Sequence, residues 1–568
     1  MWFEERSWSN LRMSESSGDF LVAAVSYVFA TTNFLNIPKL TLENGGLAFM
    51  AAYGVALIVL VLPTIVLELA VGQLTGRASV QGFRNLSPAF KGLPWLNCKY
   101  FPELLSPPCR DAGSMANFTF NAHTKLSTIR AESSLMQFMS ALERPSASIA
   151  DFGDLQYYLV AAHGLVWVVV FSSICFGVRW LGKVIPFMFM AAFSMLLALL
   201  IRACTMDGLM PIFNGYLKIT DWHKLADYKL WKIAFEQAIL ATGIGYGAFI
   251  AMGSYNRRSN NLVTDSIVIV IGHAIFTVMQ FVTVIGLVGF VVIKTGLTPV
   301  DVMDKGEAQM WHILTYFSYL PNMKLWSGLL LFACICILFN IFCLLSMSVL
   351  SALEDALGDR WSHCCLRFLL ALFVCSLIFS LSLYFTTQAG RHAYELVTGF
   401  LKYITIYVIL TFELFATAWF YCAHRLGMDL HVMLRNACCW CFGHFLLLFT
   451  YLLPVIPAGI AILNLHGYDF STFSSAIHSW PWSEWVGAAI AIIPLLPIPL
   501  CLIFTVINAC CCRRKQGLSK GQRLRSAFAT QIRQVHREKS SKPPRYTGTA
   551  PGYLLLPQAP LAEPETYA

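Results

Sequence analysis

Charged residues are scarce in this 568-residue chain. Only 12% of the residues are Asp, Glu, Lys or Arg, whereas 57% are hydrophobic, and the mean hydropathy is +0.62. Soluble domains carry about 25% charged residues, so this composition excludes an ordinary soluble enzyme or binding domain. The sequence therefore predicts an integral membrane protein.

Motifs that carry chemistry in enzymes are also lacking. The chain contains no glycine-rich phosphate loop, nucleophile elbow or zincin motif. The segment Cys438-Cys439-Trp440-Cys441 has no second half with zinc-site spacing. Most of the eighteen cysteines lie in apolar runs, where cysteine is a small packing residue. We therefore expect neither an enzyme nor an organic cofactor.

Long runs with almost no charge are abundant instead. A membrane-spanning helix needs about 18 or more apolar residues, and about eleven such runs predict an all-α polytopic membrane protein. The runs are residues 20–38, 47–67, 156–178, 184–201, 237–256, 266–293, 325–353, 368–390, 396–424, 436–465 and 485–509.

The two ends of the chain differ from its apolar centre. Residues 1–19 are polar and lack the apolar core of a signal peptide, so we expect a retained cytoplasmic segment before a transmembrane domain at 20–509. Basic residues concentrate at 513–542, which predicts a cytoplasmic anchor at the lipid surface rather than a nucleic-acid site. The whole cytoplasmic tail is 510–568; its last thirty or so residues are rich in Pro and cannot form a core, and the tail is available to cytoplasmic partners.

The loops disagree about sidedness after the second run. Counting back from the basic tail places residues 93–155 outside, where Cys98 and Cys109 are disulfide candidates and Asn117 begins a glycosylation sequon. Residues 77–91 contain three basic residues and no acid, which predicts the inside. No apolar run joins the two sides, so one membrane crossing is missing.

Several motifs resemble the sodium- and chloride-dependent neurotransmitter symporter family, solute carrier family six. They include YVFATTNFLNIPKL, LPTIVLELAVGQLTGRASVQGFRNLSPAFKG, GIGYGAFIAMGSYNRRSNN, VLSALEDAL and ELFATAWFYCAHRL. The resemblance extends to about residue 500 and implies twelve helices, ten of them in two inverted repeats. It also implies a multi-pass plasma-membrane symporter of a small organic solute, with Na⁺ and Cl⁻ as coupling ions.

The family pattern locates the missing crossing. The family places its third helix between motifs that here meet near Gly92 and Leu93, so about 11 of 12 helices are expected. That helix supplies an aromatic wall of the substrate pocket in the family. An incomplete gene model or a skipped exon is the alternative explanation.

The resemblance implies that two helices are broken where ions and substrate bind. In the first, Val28 and Phe29 would offer carbonyls to ions and Asn33 a side-chain oxygen. The backbone that would face substrate is Ala30, Thr31 and Thr32. The alternative is a proline kink in which Thr and Asn bond to their own helix.

The second break is expected at residues 243–247. Gly243 and Gly245 weaken the helix, and Tyr246 would be the aromatic lid of the pocket. Glycine-rich helix packing is the alternative.

The sodium ligands of the family are only partly present. At the first site Asn33 remains, but Ala241 and His273 stand where the family has a hydroxyl and an amide. At the second, Ile337 and Asn340 align with family ligands, while Ile341 replaces a serine and cannot ligate a cation. His273 is open to two interpretations: a proton-coupling group, or a neutral histidine hydrogen-bonded between helices.

The chloride site and the gates are altered to different extents. Family chloride ligands align with Tyr53, Gln237 and Thr277. The charged outer gate of the family aligns with two neutral residues, Asn36 and Thr398. The inner gate aligns with Arg6, Trp8, Tyr255 and Asp355.

Two functions follow from these residues. The first is a secondary-active transporter of an amino-acid-like or other small solute with altered sodium dependence. Ala30 stands where monoamine carriers have aspartate, which disfavours a monoamine substrate. The second is a non-transporting relative that acts through protein partners or trafficking.

Overall fold

The computed structural model describes residues 17–31, 33–75, 146–256, 260–296, 322–357, 364–433 and 440–507, with residues 299 and 320. The described residues are predominantly helical. Their β-structure is one isolated antiparallel bridge between Leu155 and Thr387. Several predicted features lie outside the described residues: Arg6, Trp8, Thr32, Cys98, Cys109, Asn117 and the join of Gly92 to Leu93.

The helices before the second break form the first half of the domain. In chain order they are α1 (Ser17–Tyr27), α2 (Asn33–Glu43), α3 (residues 47–75, with a π-helical turn at Leu57–Val61), α4 (Tyr157–Ile174), α5 (Val178–Cys204) and α6 (Leu209–Lys218).

The second half begins with another pair of short helices. In chain order it contains α7 (Tyr228–Thr242), α8 (Ala248–Tyr255), α9 (Leu262–Thr295), α10 (Met323–Leu357), α11 (Cys364–Ser382), α12 (residues 390–420), α13 (Ala423–Met433), α14 (Trp440–Phe449), α15 (Val455–His466), α16 (Ser475–His478), α17 (Ser483–Ile492) and α18 (Pro497–Ile507).

Every predicted apolar run coincides with helix in the described residues. Seven helices are long and apolar enough to cross a membrane, and α17 with α18, bent by 42°, is an eighth candidate. The other three runs are pairs of shorter helices, namely α1 with α2, α7 with α8, and α14 with α15. The expectation of an all-α polytopic membrane protein with about eleven helices is confirmed.

The ends of the runs were predicted less well than their number. The helix that contains the run expected at 396–424 begins earlier, at Gly390. The apolar run omitted its first turns because they contain the polar residues Arg391 and Glu395. The run expected at 436–465 is interrupted before Val455, where Pro454 lacks a backbone N–H for a continuous helix. Hydropathy identifies the apolar part of a helix and omits its polar ends.

Burial separates a central group of helices from a peripheral group. In the most apolar window of each span, 78% of α3 and 72% of α9 are buried, but only 17% of α11 and 28% of α4. The short helix α1 packs against α5, α9 and α10, and α8 packs against α3 and α10. The two interrupted spans therefore lie at the centre, and α4 and α11 present apolar faces outward, as lipid contact requires.

Candidate functional site

The first break separates α1 from α2 at residues 28–32. The Val28 N–H still donates to the Ala24 carbonyl at 3.4 Å, whereas the Ala30 N–H turns back to the Val28 carbonyl at 3.0 Å. Pro38 lies inside α2, beyond the break, and its carbonyl accepts a hydrogen bond from the Tyr216 hydroxyl at 3.1 Å. The interruption is thus not a kink at proline, and it leaves backbone carbonyls without helical partners.

His273 of α9 is hydrogen-bonded to one of these carbonyls. Its Nδ1 lies 2.7 Å from the Val28 carbonyl oxygen, and its Nε2 lies 2.7 Å from the Tyr53 hydroxyl. A carbonyl only accepts, so Nδ1 carries a proton and donates. In a neutral imidazole Nε2 then accepts from Tyr53, and both ring nitrogens of this fully buried side chain are satisfied.

Asn33 joins the same network from the first turn of α2. Its Nδ2 donates to the Thr277 hydroxyl at 3.1 Å, and its Oδ1 accepts from Gln237 Nε2 at 2.9 Å. The residues assigned to the first sodium site and to the chloride site are therefore brought together at α9. The prediction that Thr or Asn would bond only to its own helix does not describe Asn33, which bridges α2, α7 and α9.

Sodium does not fit the first position as these side chains are arranged. Sodium prefers hard oxygen ligands, and two of the expected donors, the Val28 carbonyl and Asn33 Oδ1, accept N–H groups from His273 and Gln237. Ala241, where a hydroxyl was expected, is buried and supplies only a methyl group. The imidazole N–H donates to the Val28 carbonyl in the place where the resemblance implies an ion.

The chloride residues have suitable chemistry but are directed at protein acceptors. Tyr53 and Thr277 supply hydroxyls and Gln237 an amide, which are the donors an anion needs. Tyr53 points to His273 Nε2, and Gln237 points to Asn33. An anion at this place would compete with these acceptors for the same hydrogens.

At the second sodium position, Asn340 of α10 bridges two other helices. Its Nδ2 donates to the Ser26 hydroxyl of α1 at 2.7 Å and approaches the Ile185 carbonyl of α5 at 3.4 Å. Its buried Oδ1 has no hydrogen-bond partner within the described residues, so one acceptor remains there. Ile337 is buried one turn away, and the Phe29 ring stacks on Phe276 with centroids 4.3 Å apart.

The second break separates α7 from α8 at three glycines. Gly243, Gly245 and Gly247 have φ values of 66°, 81° and 73°, in the left-handed region that other residues avoid. Tyr246 lies between them and is buried. The prediction of a glycine-dependent break is confirmed, and the alternative of a continuous glycine-rich packing helix is wrong.

Four partners of the two breaks were not predicted. Tyr27 donates its hydroxyl to the Gly243 carbonyl at 3.2 Å, and Gln280 donates Nε2 to the Ala30 carbonyl at 2.9 Å. Glu68 accepts the Gly245 N–H at 2.7 Å, and Ser26 contacts Asn340 as described above. Gln280 lies inside the apolar run 266–293 and Glu68 directly follows the run 47–67, and polar residues in membrane spans are usually functional.

The gate residues are placed differently at the two ends. Thr398 donates its hydroxyl to the Tyr394 carbonyl of its own helix at 2.7 Å, rather than to Asn36, which is half-buried on α2. Tyr255 is hydrogen-bonded to Ser351, which lies one turn before Asp355 on α10. Tyr255 is therefore bonded to the helix that carries Asp355, and the inner gate stays a prediction.

Two apolar spans broken near their middles, with backbone groups that face buried polar side chains, define the class of membrane transporters with discontinuous helices. The chain belongs to the sodium:neurotransmitter symporter family, whose model matches residues 12–98 and 91–509. The two matched stretches meet where the sequence predicts the third helix to be absent. The inverted-repeat fold follows from this membership, with the broken pairs α1/α2 and α7/α8 at the start of each repeat.

Similar proteins of this family are transporters named for different solutes. The sodium- and chloride-dependent glycine transporter 1 of Xenopus laevis is 26% identical over 86% of this chain and 83% of its own length. The sodium- and chloride-dependent creatine transporter 1 of Oryctolagus cuniculus is 25% identical over 86% and 82%. The sodium- and chloride-dependent GABA transporter ine of Drosophila melanogaster is 22% identical over 90% of this chain and 56% of its own length.

Proposed function

We propose that this protein is a secondary-active transporter of a small organic solute of the amino-acid class, with weak sodium dependence. Family membership and relatives named for glycine, creatine and GABA support the class of solute. We place it in the plasma membrane with a cytoplasmic C-terminus, as the basic residues at 513–542 favour. The substrate would be held between the two breaks by Ala30, Thr31, Gly243, Gly245 and Tyr246.

One observation carries the proposal of weak sodium dependence. The His273 N–H donates to the Val28 carbonyl, which is the backbone group that the family resemblance assigns to sodium. A neutral donor satisfies this oxygen without an ion, so sodium would gain little by binding. The neutral hydrogen-bonded interpretation of His273 accounts for both of its contacts.

The experiment is uptake of radiolabelled glycine, creatine and GABA by purified protein in liposomes. Sodium would be replaced by choline at constant chloride, and chloride by gluconate at constant sodium. We expect uptake of at least one of these solutes to change less than about threefold without sodium. Uptake that disappears without sodium, as in a strictly coupled symporter, would contradict the proposal.

Replacement of His273 gives the sharper arm of the same experiment. His273→Asn removes the imidazole donor and restores an amide oxygen, so sodium stimulation of uptake should increase. His163→Asn is the matched control. His163 of α4 is also a buried histidine, but it is hydrogen-bonded to Ser382 of α11, and both of these helices are peripheral. An equal change in both variants would show that the effect is not specific to the first break.

A non-transporting relative is the second candidate, and the missing third helix favours it. The junction of the two family matches at residues 91–98 is where a wall of the pocket would be expected. A folded protein at the cell surface without flux of any tested solute would support this function, with the C-terminal tail as the site for cytoplasmic partners. A native transcript with an additional apolar segment between Gly92 and Leu93 would remove its main support.

A further inference from the structure

Two histidine rings meet between α13 and α14, away from both breaks. The rings of His424 on α13 and His444 on α14 have centroids 5.3 Å apart and planes inclined at 71°. His424 is exposed and His444 is half-buried, so solvent reaches the pair. Within the described residues, no hydrogen bond reaches either imidazole. The nitrogen lone pairs of both rings are therefore available to a metal ion, for which histidine is the commonest protein ligand.

The approach of His444 to α13 depends on Gly427. A Cβ atom on Gly427 would collide with Nδ1 of His444 and would lie 2.7 Å from its Cε1. Glycine in the interior of a helix costs about 1 kcal/mol relative to alanine, and the space that His444 needs gives this glycine a reason. The Nδ1 edge of the ring rests on the backbone of α13, which leaves Nε2 as the nitrogen for a ligand.

Contacts outside the pair hold the two helices in this arrangement. Helices α13 and α14 pack against each other, and α14 also packs against α3. The His424 backbone N–H donates to the Tyr451 hydroxyl at 3.4 Å, and Trp419 Nε1 donates to the Tyr451 carbonyl at 3.0 Å. These bonds join the start of α13 to the chain that follows α14. The two imidazoles are thus positioned before a ligand binds, which reduces the freedom lost on binding.

The separation of the two rings suits a shared metal ion. Zinc binds imidazole nitrogen at about 2.0–2.1 Å in tetrahedral geometry, which places the centroids of two imidazoles on one ion roughly 5 Å apart. The observed separation of 5.3 Å agrees with this value. The part of the chain that the structure describes contains no cluster of three or more His, Cys, Asp or Glu side chains able to hold a metal ion. The pair therefore supplies two ligands, and water would complete the coordination.

Four other described histidines are hydrogen-bonded or stacked on groups that are not metal ligands of this kind. They are His163 with Ser382, His273 with Val28 and Tyr53, His392 with Ser146, and His478 with Phe470. The pair on α13 and α14 differs from them because each imidazole faces another imidazole. That arrangement is typical of metal ligands rather than of histidines that pack or bridge helices.

We propose that His424 and His444 bind one divalent transition-metal ion of the zinc class, which links α13 to α14. Imidazole suits Zn²⁺, Cu²⁺ and Ni²⁺, whereas Ca²⁺ and Mg²⁺ prefer oxygen ligands. The ion replaces the contact between the two rings by two metal–nitrogen bonds and so holds α13 on α14. This site does not depend on the proposed transport function, and its tests do not use transport.

Equilibrium binding of zinc to the full-length protein tests the site. The purified protein, in nanodiscs and without its affinity tag, competes for zinc with a fluorescent chelator of known affinity. The wild-type protein should bind one zinc ion per chain. Loss of a second-shell partner alone costs about 10–100-fold in metal affinity, so His424→Ala and His444→Ala should each weaken binding by at least about tenfold. A wild-type protein that binds no zinc would overturn the proposal, whether or not any variant folds.

Matched variants assign the ion to the pair. Gly427→Ala keeps both histidines but displaces the His444 ring, so it should also weaken zinc binding. Gly459→Ala on α15 is its control, because nothing lies within 4 Å of an added Cβ there. His478→Ala removes a histidine that is stacked on a phenylalanine and should leave binding unchanged. Equal binding by the wild-type protein and Gly427→Ala would contradict the geometry of the site.

Cobalt distinguishes the pair from the cysteines that precede His444 in the sequence. Cys438, Cys439 and Cys441 are the nearby thiols, and thiolates bind the same metals. Thiolate ligands give Co²⁺ an intense charge-transfer absorption in the near ultraviolet, which imidazole and water do not. We expect a cobalt spectrum without this absorption. Its presence, or zinc binding that survives in the variant lacking both histidines, would overturn the proposal.

Discussion

Both breaks leave backbone groups without helical hydrogen-bond partners, but side chains of different chemistry bind these groups at the two breaks. At residues 28–32 the freed carbonyls of Val28 and Ala30 accept hydrogen bonds from two neutral side chains of α9. At residues 243–247 a freed N–H donates to the carboxyl of Glu68. Neutral donors therefore satisfy the first break, whereas an acidic group satisfies the second.

The breaks also differ in how the backbone is bent. The second contains three glycines with positive φ, which fixes its path by local conformation. The first contains no glycine, and its path is maintained by side chains from other helices. The second break should therefore depend most on its glycines, and the first on residues of α9.

The largest effect is expected from Gly245→Val. Valine is strained at φ 81°, and its Cβ would lie 3.3 Å from Leu410, so we expect a loss of about 3 kcal/mol or more of stability. Gly54→Ala on α3 is the control, because nothing lies within 4 Å of an added Cβ there. Thermal unfolding in detergent measures both, and similar melting temperatures would refute the importance of local conformation.

His273→Ala should have the next largest effect. The change removes one of the two donors to the Val28 carbonyl and takes the acceptor from the Tyr53 hydroxyl, at a cost of about 2–4 kcal/mol. His163→Ala removes one hydrogen bond, to Ser382, at the edge of the fold and should cost less. The melting temperature of His273→Ala should be lower than that of His163→Ala. The reverse order would contradict the importance of the hydrogen bonds of His273.

Gln280→Leu tests the other donor to the first break. Leucine has a similar size but cannot donate to the Ala30 carbonyl, so we expect a loss of about 1–2 kcal/mol. Gln280→Glu, measured in parallel, retains the shape and adds an acid beside a carbonyl, and it should be less stable than Leu at alkaline pH. Wild-type stability in both variants would show that this hydrogen bond is not needed.

Tyr27→Phe should have the smallest effect. It removes one hydroxyl that donates to Gly243 across the two breaks, and hydrogen bonds between membrane helices average about 0.6 kcal/mol. The ring stays packed against Phe249, with centroids 5.3 Å apart. A loss several times larger would mean that the contact between the breaks is cooperative.

The sequence predicted the class of fold and the position of both breaks, but only part of their chemistry. Long apolar runs and the glycines at 243–247 are local signals, and both were interpreted correctly. The hydrogen bond that holds the imidazole of His273 comes from Tyr53, 220 residues away, and no local pattern contains that contact. Glu68 lay just beyond a predicted run, although an acid between apolar residues marks its position.

Sodium-dependent stabilisation of the purified protein tests the central claim most directly. The melting temperature would be measured in sodium chloride and in choline chloride of equal ionic strength, because an ion that binds only the folded protein raises it. We predict almost no difference for the wild-type protein and a clear sodium-specific increase for His273→Asn. A large sodium-specific increase in the wild-type protein would contradict the claim that His273 has replaced the ion.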